Sequence, residues 1–225
     1  MINSIFLKIK NNLLDISHVK AVIFDMDGTL VETEYLWAEA KQNVAQTLGF
    51  TVTEKVLQQY VGRGLNDFID AFLSPKDHKH RFELNLKMQE LALADYAAKL
   101  RVIDGAPALL QAFASAGIRI AICSSSSLHA ITISLKALNA TDIVEVVVSG
   151  DIIATGKPHP LPYLQTLKEL NVEARDAIAF EDTLAGLNSA TAAGIATMIV
   201  GEQPDNPFFA SATLIAPRLK DFRLT

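Results

Sequence analysis

The sequence predicts an α/β fold in which helices cover both faces of a parallel β-sheet and a helical domain is inserted after the first strand. Two observations lead to this prediction. Short β-prone runs alternate with helical segments along most of the chain. The first and second of these runs are separated by residues 26–117, which is far more chain than one crossover helix requires.

The predicted strands are apolar or β-branched and end in small or polar residues. They are "KAVIFD" at 20–25, "IRIAIC" at 118–123, "IVEVVV" at 143–148, "AIAF" at 177–180 and "ATMIV" at 196–200. Because helical segments separate them, we expect these strands to run parallel. Ligands of such sheets bind beyond the carboxyl ends of the strands, so the residues that follow each strand are the first candidates for a functional site.

The long interval after the first strand has a helical character, as in "AEAKQNVAQTLGF", "EKVLQQYV" and "RFELNLKMQELALADYAAKL", with turn signals at Gly49, Gly62 and Gly64. We therefore predict a core domain made of residues 1–35 and 101–225 and a helical domain at 36–100, each boundary placed to within about five residues. The N-terminal "MINSIFLKIKNNLLDISHVK" is interrupted by Lys8 and Lys10 before a signal-peptide region could form. We expect a short extension that leads into the fold.

Composition excludes several classes of protein. Half of the 225 residues are hydrophobic, and 25 acidic residues outnumber 20 basic ones without any basic block, which argues against a protein that binds nucleic-acid phosphates. No apolar run approaches the roughly 18 residues of a membrane helix. A single cysteine, Cys123, excludes an internal disulfide and fits a reducing compartment. We expect a soluble, cytoplasmic monomer with neither a nucleic-acid nor a membrane partner.

Four carboxylates follow two of the predicted strands: Asp25 and Asp27 after the first, and Glu181 and Asp182 after "AIAF". A lone pair of aspartates could be only a turn, and Gly28 would permit one. Four carboxylates at one sheet edge, however, repel each other by about 1 to 4 kcal/mol per close pair, so they call for a cation. Oxygen ligands without histidine favour Mg²⁺, which is typically shared between carboxylates, waters and a substrate phosphate. The sequence therefore predicts a phosphorylated ligand.

Two more residues fit such a ligand. Ser124 follows the second strand and leads into a helix at about Ser127, where a hydroxyl and backbone N–H groups could hold phosphate oxygens. Lys157, between Gly156 and Pro158, could balance the negative charges. Taken singly, serines cap helices and most lysines are merely solvated. Together, and in this order at strand ends, they indicate a phosphate site.

These segments resemble a known family. "DMDGTLVET", "CSSSS", "GKPHP" and "FEDTLAGLNSATAAGI" are similar, in order, to the four signature motifs of the haloacid dehalogenase-like phosphohydrolases, over about residues 20–200. The resemblance implies a Rossmann-like three-layer core. It also implies that the inserted helices form the C1-type cap domain of the branch that contains β-phosphoglucomutases and sugar-phosphate phosphatases.

The resemblance assigns catalytic roles. Asp25 matches the nucleophile that becomes an aspartyl-phosphate, and Asp27 matches the general acid and base. Lys157 matches the lysine that stabilises charge at the phosphoryl group, which Ser124 and Ser125 would help to bind. The implied Mg²⁺ ligands are Asp25, Asp27 through its main-chain carbonyl, Glu181 and Asp182.

The helical domain offers candidates for substrate specificity. Trp37, in "VETEYLWAEA", falls where β-phosphoglucomutases carry a histidine, which favours a hydrolase over a mutase, although Trp37 could also only pack the hinge. "YVGRGLNDF" at 60–68 looks like the specificity loop of the cap, with Gly62 for close backbone approach and Arg63 or Asn66 for a polar substrate. The alternative is a helix–helix turn with a solvated arginine.

We therefore predict a Mg²⁺-dependent phosphatase that acts on a small phosphorylated metabolite, with a sugar or sugar-alcohol phosphate as the expected substrate. One alternative is a phosphosugar mutase similar to β-phosphoglucomutase. Another is a metabolite-binding protein without activity. The presence of Asp25, Asp27, Lys157 and Asp182 argues against the last, because binding alone would not need both a nucleophile and an acid.

Overall fold

The computed structural model describes residues 4–73, 78–201 and 206–225. Its strands are β1 (Phe6–Ile9), β2 (Asn12–Asp15), β3 (Ala21–Phe24), β4 (Val31–Glu32), β5 (Arg101–Val102), β6 (Arg119–Cys123), β7 (Val144–Val148), β8 (Ala177–Glu181), β9 (Ala196–Val200), β10 (Leu214–Ala216) and β11 (Arg223–Leu224). Its α-helices are α1 (Glu34–Thr47), α2 (Glu54–Gln58), α3 (Leu65–Phe68), α4 (His78–Leu93), α5 (Tyr96–Lys99), α6 (Ala106–Ser115), α7 (Leu128–Ala137), α8 (Leu161–Leu170) and α9 (Leu184–Ala192). A π-helical turn, Ile69–Leu73, follows α3 directly.

The main sheet has six parallel strands in the order β10-β9-β8-β3-β6-β7. Strand β3 lies inside the sheet, and all four of its residues are buried, as a strand covered on both faces requires. The predicted fold class is confirmed. The sequence predicted five of the six strands; β10, with three residues, is too short to show a recognisable pattern.

Helices α6 and α7 cover one face of this sheet, and α8 and α9 cover the other. On the first face the rings of Phe24 and Phe180 stack with centroids 4.8 Å apart, and the ring of Phe113 from α6 meets Phe24 edge-on at 5.9 Å. Burying one such side chain stabilises the fold by about 1.5 to 3 kcal/mol. This aromatic cluster therefore helps to hold β3 and β8 side by side.

A helical insertion, α1–α5, interrupts the core between β4 and β5, which pair antiparallel with Val31 opposite Val102. The insertion has its own apolar cluster, to which Trp37, Phe68 and Tyr96 contribute. The same cluster includes Ala130 of α7. The insertion thus leaves and rejoins the core through one strand pair and packs against the core beside it.

The N-terminal segment forms more structure than the short extension we expected. Strands β1 and β2 make a hairpin, and β11 pairs antiparallel with β1 in a separate three-stranded sheet. The hairpin turns at Lys10, whose φ is 50°, and Leu7 is fully buried against the core. No helix in the described ranges is both long enough and apolar enough to span a membrane.

Candidate active site

The candidate site lies at the carboxyl edge of the parallel sheet. Phe24 pairs in register with Ile122 on one side and Phe180 on the other, so β3, β6 and β8 end at the same level. The Asp25 backbone N–H donates to the Phe180 carbonyl oxygen at 3.0 Å, which continues the ladder by one residue. The side chains that follow these strands are therefore brought to one place, as the sequence predicted for parallel strands.

Lys157 lies at the centre of this edge. Its Nζ is 2.6 Å from Asp25 Oδ1 and 2.6 Å from Glu181 Oε1, and it donates to the Cys123 carbonyl oxygen at 2.9 Å. Burial alone would lower the pKa of Lys157, but Asp25 and Glu181 raise it well above its ordinary value. Because only 2% of its side chain is exposed, Lys157 is a fixed positive charge that orients two carboxylates.

Three of the carboxylates form a cluster that fits a divalent cation. Asp25, Glu181 and Asp182 each place one oxygen within 4.8 Å of the others. Glu181 Oε2 is buried and has no hydrogen-bond partner in the described part of the chain. Burial, together with repulsion between the carboxylates, raises the pKa of Asp25 and of Asp182 well above the ordinary range. A cation would offset the repulsion between the carboxylates and would give Glu181 Oε2 a partner.

Gly28 makes the close approach of Asp182 possible. Its φ is +87°, and a Cβ at this position would overlap Asp182 Oδ2. The glycine of the first motif is therefore required twice, once for the left-handed turn after Asp27 and once for the space that Asp182 occupies. The turn thus lets residues from β3 and β8 share one site.

The Asp27 carboxylate accepts hydrogen bonds on both oxygens. Its donors to Oδ1 are the Trp37 indole at 3.0 Å, the Tyr96 hydroxyl at 3.4 Å and the Thr33 hydroxyl, and its donors to Oδ2 are the hydroxyls of Ser126 at 2.6 Å and Ser124 at 3.3 Å. Trp37 and Tyr96 belong to the helical insertion, whereas both serines follow β6. The insertion and the core therefore hold Asp27 jointly in one orientation.

The serine loop after β6 divides its contacts between the site and the insertion. Ser124 accepts from the Ser126 backbone N–H at 3.0 Å and faces Asp27. Ser125 instead donates its hydroxyl to the Gly62 carbonyl oxygen at 3.0 Å. Ser127 accepts from the Ala130 backbone N–H at 3.4 Å and so caps α7, close to where the sequence placed the start of this helix.

A cavity of about 540 Å³ lies between the insertion and the sheet edge. Asp25, Asp27, Ser124 and Ser125 line its core side. All four residues that the sequence singled out for specificity line it from the insertion: Trp37, Gly62, Arg63 and Asn66. The cavity therefore joins the predicted chemical residues and the predicted specificity residues in one space.

Sequence reasoning missed several residues of this site. Glu34 and Lys41 line the cavity from α1. Its burial and, to a smaller extent, repulsion from Asp27 raise the pKa of Glu34 to about 7. Tyr163 donates its hydroxyl to Glu181 Oε1 at 2.5 Å and so completes the surroundings of that oxygen. Two opposite charges seven residues apart on one helix were the only signal for Glu34 and Lys41. Tyr163 gave none.

Comparisons with known proteins point to one family. The model of the haloacid dehalogenase-like hydrolases matches residues 22–200. A phosphorylated carbohydrates phosphatase of Thermotoga maritima is 32% identical over 181 residues, which are 79% of this chain and 82% of the relative. The structure of CbbY from Rhodobacter sphaeroides in complex with phosphate has a TM-score of 0.79 at 28% identity and covers 90% of this chain and 95% of its own.

The β-phosphoglucomutase of Clostridium difficile shares the fold, with a TM-score of 0.80 at 23% identity over 90% of this chain and 92% of its own. The family match runs from β3 to the end of β9 and thus includes every strand end that contributes to the site. The chain therefore belongs to the haloacid dehalogenase-like hydrolases, as its four motifs predicted, and to the branch of sugar-phosphate phosphatases and β-phosphoglucomutases that its inserted helices predicted.

Proposed function

We propose that this protein is a Mg²⁺-dependent phosphatase that hydrolyses the phosphate ester of a sugar or a sugar alcohol through an aspartyl-phosphate on Asp25. The observation that carries the proposal is the pair of aspartates in one cavity with different partners. Asp25 is held by Lys157, whereas Asp27 is surrounded by neutral donors. Phosphatase activity as such follows from the family and from the Thermotoga relative.

The different partners suit two different steps. Lys157 bonds Asp25 Oδ1, which leaves Oδ2 to attack phosphorus as the bond from phosphorus to the ester oxygen breaks. Asp27, when protonated, gives its proton to the departing oxygen and releases the alcohol. Water then attacks the phosphorus of the aspartyl-phosphate, Asp27 takes a proton from that water, and Asp25 is freed together with inorganic phosphate.

The carboxylate cluster would hold the metal. Asp25, Glu181 and Asp182 would contribute carboxylate oxygens, and Asp27 its main-chain carbonyl. Mg²⁺ suits a site made only of oxygen atoms, and when bound it offsets the negative charge of the phosphoryl group and of the carboxylates. Glu181 is anchored on its other oxygen by Lys157 and Tyr163, so its free oxygen is directed in advance.

The serine loop and Lys157 would bind the transferred phosphoryl group. The Ser124 hydroxyl faces Asp27 beside the cavity, and Ser125 follows it in the same lining loop. Residues 36–100 would act as a cap that closes over the core formed by residues 1–35 and 101–225. Closure of this kind excludes water and brings specificity residues onto the substrate.

A phosphosugar mutase similar to β-phosphoglucomutase is the second candidate. The contact between the Trp37 indole and Asp27 Oδ1 at 3.0 Å argues for the hydrolase, because β-phosphoglucomutases carry a histidine at this position. A non-catalytic binding protein is the weakest candidate, since a binding role would not require both buried aspartates.

The deciding experiment compares purified protein with two variants in MgCl₂ over a panel of hexose, hexitol and pentose phosphates. We expect phosphate release by the wild type, and a fall in kcat of about 10³-fold or more in Asp25→Asn. Asp142→Asn, at an exposed aspartate outside the cavity, is the matched control and should retain activity. Equal turnover by Asp25→Asn would overturn the nucleophile assignment. Conversion of β-glucose 1-phosphate to glucose 6-phosphate without phosphate release would favour the mutase.

A further inference from the structure

Three amide side chains form a hydrogen-bonded row on the insertion side of the cavity. Asn85 Nδ2 donates to Asn66 Oδ1 at 2.8 Å, and Gln89 Nε2 donates to Asn85 Oδ1 at 2.7 Å. All three side chains line the same cavity as Asp25 and are partly buried. We call Asn66, Asn85 and Gln89 the amide row.

The hydrogen bonds within the amide row run in one direction. They leave a donor, Asn66 Nδ2, at one end and an acceptor, Gln89 Oε1, at the other, and neither atom has a hydrogen-bond partner within the ranges that the structure covers. An amide offers both donor and acceptor atoms, and a hydroxyl group both donates and accepts, whereas a phosphate dianion only accepts. The open ends of the row therefore match hydroxyl groups better than a second phosphate.

The arginines on the same wall are already paired with carboxylates. Arg81 makes two hydrogen bonds to Asp70, each of 2.6 Å, and Arg63 Nε lies 2.9 Å from Asp67 Oδ2. A second phosphate bound here would have to compete with these carboxylates. Each pair carries no net charge, so the wall offers little attraction to another anion.

Lys41 provides no unbalanced charge either. Its Nζ donates to the Tyr60 carbonyl oxygen at 3.3 Å, and Glu34 and Asp27 are the carboxylates that act on it electrostatically. Glu34 also lines the cavity and offers a nearby phosphate no positive charge. The part of the cavity away from Asp25 is thus polar but close to neutral.

We propose that the amide row binds the hydroxyl groups of the leaving alcohol, and that the preferred substrate is a monophosphate whose remaining part is a neutral, polyhydroxylated chain or ring rather than a bisphosphate. This inference rests on the proposed phosphatase function and assigns Asn85 and Gln89 to substrate specificity. A row with a purely structural role would only hold α3 against α4.

The test measures kcat/KM for sorbitol 6-phosphate, p-nitrophenyl phosphate and fructose 1,6-bisphosphate with the wild type and with Asn85→Leu, Gln89→Leu and the isosteric Asn85→Asp. The readout is the ratio of kcat/KM for sorbitol 6-phosphate to that for p-nitrophenyl phosphate, whose leaving group carries no hydroxyl group besides the ester oxygen. Each variant should lower this ratio about tenfold or more, because the hydroxyl groups of sorbitol 6-phosphate lose hydrogen-bond partners in the amide row. Lys87→Ala is the control on α4, since Lys87 pairs with Glu90 on the surface, and should keep the wild-type ratio.

Two results would overturn the inference. One is an unchanged ratio in well-folded Asn85 and Gln89 variants, which would give the row a structural role only. The other is a wild type that prefers fructose 1,6-bisphosphate to sorbitol 6-phosphate. If the wild type releases phosphate from none of the esters, the proposed function fails instead. In that case the amide row is tested by binding, through the Kd of sorbitol 6-phosphate measured with Asp25→Asn. Adding Asn85→Leu to Asp25→Asn should raise this Kd at least tenfold, and an unchanged Kd would overturn the inference.

Discussion

Asp27 shows how a single side chain depends on both halves of the molecule. Its oxygens accept from Trp37 and Tyr96 on the insertion and from Ser126 on the core. Hydrogen bonds from both sides fix the direction in which the Asp27 carboxylate points, which the proposed role in proton transfer requires. Asp25, by contrast, is held within the described part of the chain by core residues: Lys157 bonds its carboxylate, and the Phe180 carbonyl oxygen accepts from its backbone N–H. The orientation of Asp27, the proposed acid, is therefore sensitive to the position of the insertion, whereas that of Asp25, the proposed nucleophile, is not.

Glu34 carries a prediction about pH. Burial, and then repulsion from Asp27, raises its pKa to about 7 from 4.5, so between these values the folded protein holds a proton that the unfolded chain has lost. The free energy of unfolding must then fall as the pH rises through that window. We expect Glu34→Gln to be more stable than the wild type by about 1 to 3 kcal/mol at pH 8 and to match it at pH 4.

Urea unfolding in EDTA at the two pH values measures this difference. Glu39→Gln, at an exposed glutamate on the same helix, is the control and should show no such dependence. A stability difference between Glu34→Gln and the wild type that is the same at both pH values would contradict the prediction.

At the scale of elements, the loop between α2 and α3 joins the insertion to the core. Gly62 has a φ of +72°, a Cβ there would lie 2.5 Å from Thr183 Oγ1, and its carbonyl accepts from Ser125. Gly62→Ala should therefore push the loop away from the start of α9. We expect kcat/KM to fall about 10- to 100-fold, because small displacements of a substrate-binding wall are costly.

Steady-state kinetics with the best ester of the panel checks this expectation. The matched comparison is Gly64→Ala, two residues further on, where a Cβ meets nothing within 4 Å. This substitution should cost far less activity. If both variants lose the same activity, the contact between Gly62 and Thr183 is not what positions the loop.

At the scale of the whole molecule, metal binding should be linked to protonation and to stability. If the carboxylate cluster binds Mg²⁺ as proposed, protons and the metal compete for the same oxygens, because the pKa values of Asp25 and Asp182 are raised in the metal-free protein. Saturating MgCl₂ should therefore raise Tm more at pH 8 than at pH 5.5. Thermal unfolding monitored by circular dichroism measures this rise, which Asp182→Asn should largely abolish. A rise in Tm that is independent of pH would place the metal elsewhere.

The fold, and the convergence of the motif residues at one edge of the sheet, could be predicted because their signals are local. The apolar runs of β3 and β8, and the motif residues directly after them, are adjacent in sequence, and a parallel sheet brings strand ends together without further information. The amide row depends on how α3 packs against α4, and the contact of Trp37 with Asp27 depends on how the insertion packs against the core; no short segment specifies either packing. The pairing of β1 with β11 joins the two ends of the described chain. It could not be predicted either, because it depends on contacts between segments that are distant in sequence.

The position of β3 has a consequence for the order of folding. This strand is made early, but its neighbours β6 and β8 come from much later in the chain, and contacts between distant residues form slowly. On the ribosome, the strand that carries Asp25 must remain unpaired until most of the protein has been synthesised. Its apolar run "AVIF" then stays exposed for much of synthesis, so the segment that positions the proposed nucleophile also needs protection from aggregation before folding is complete.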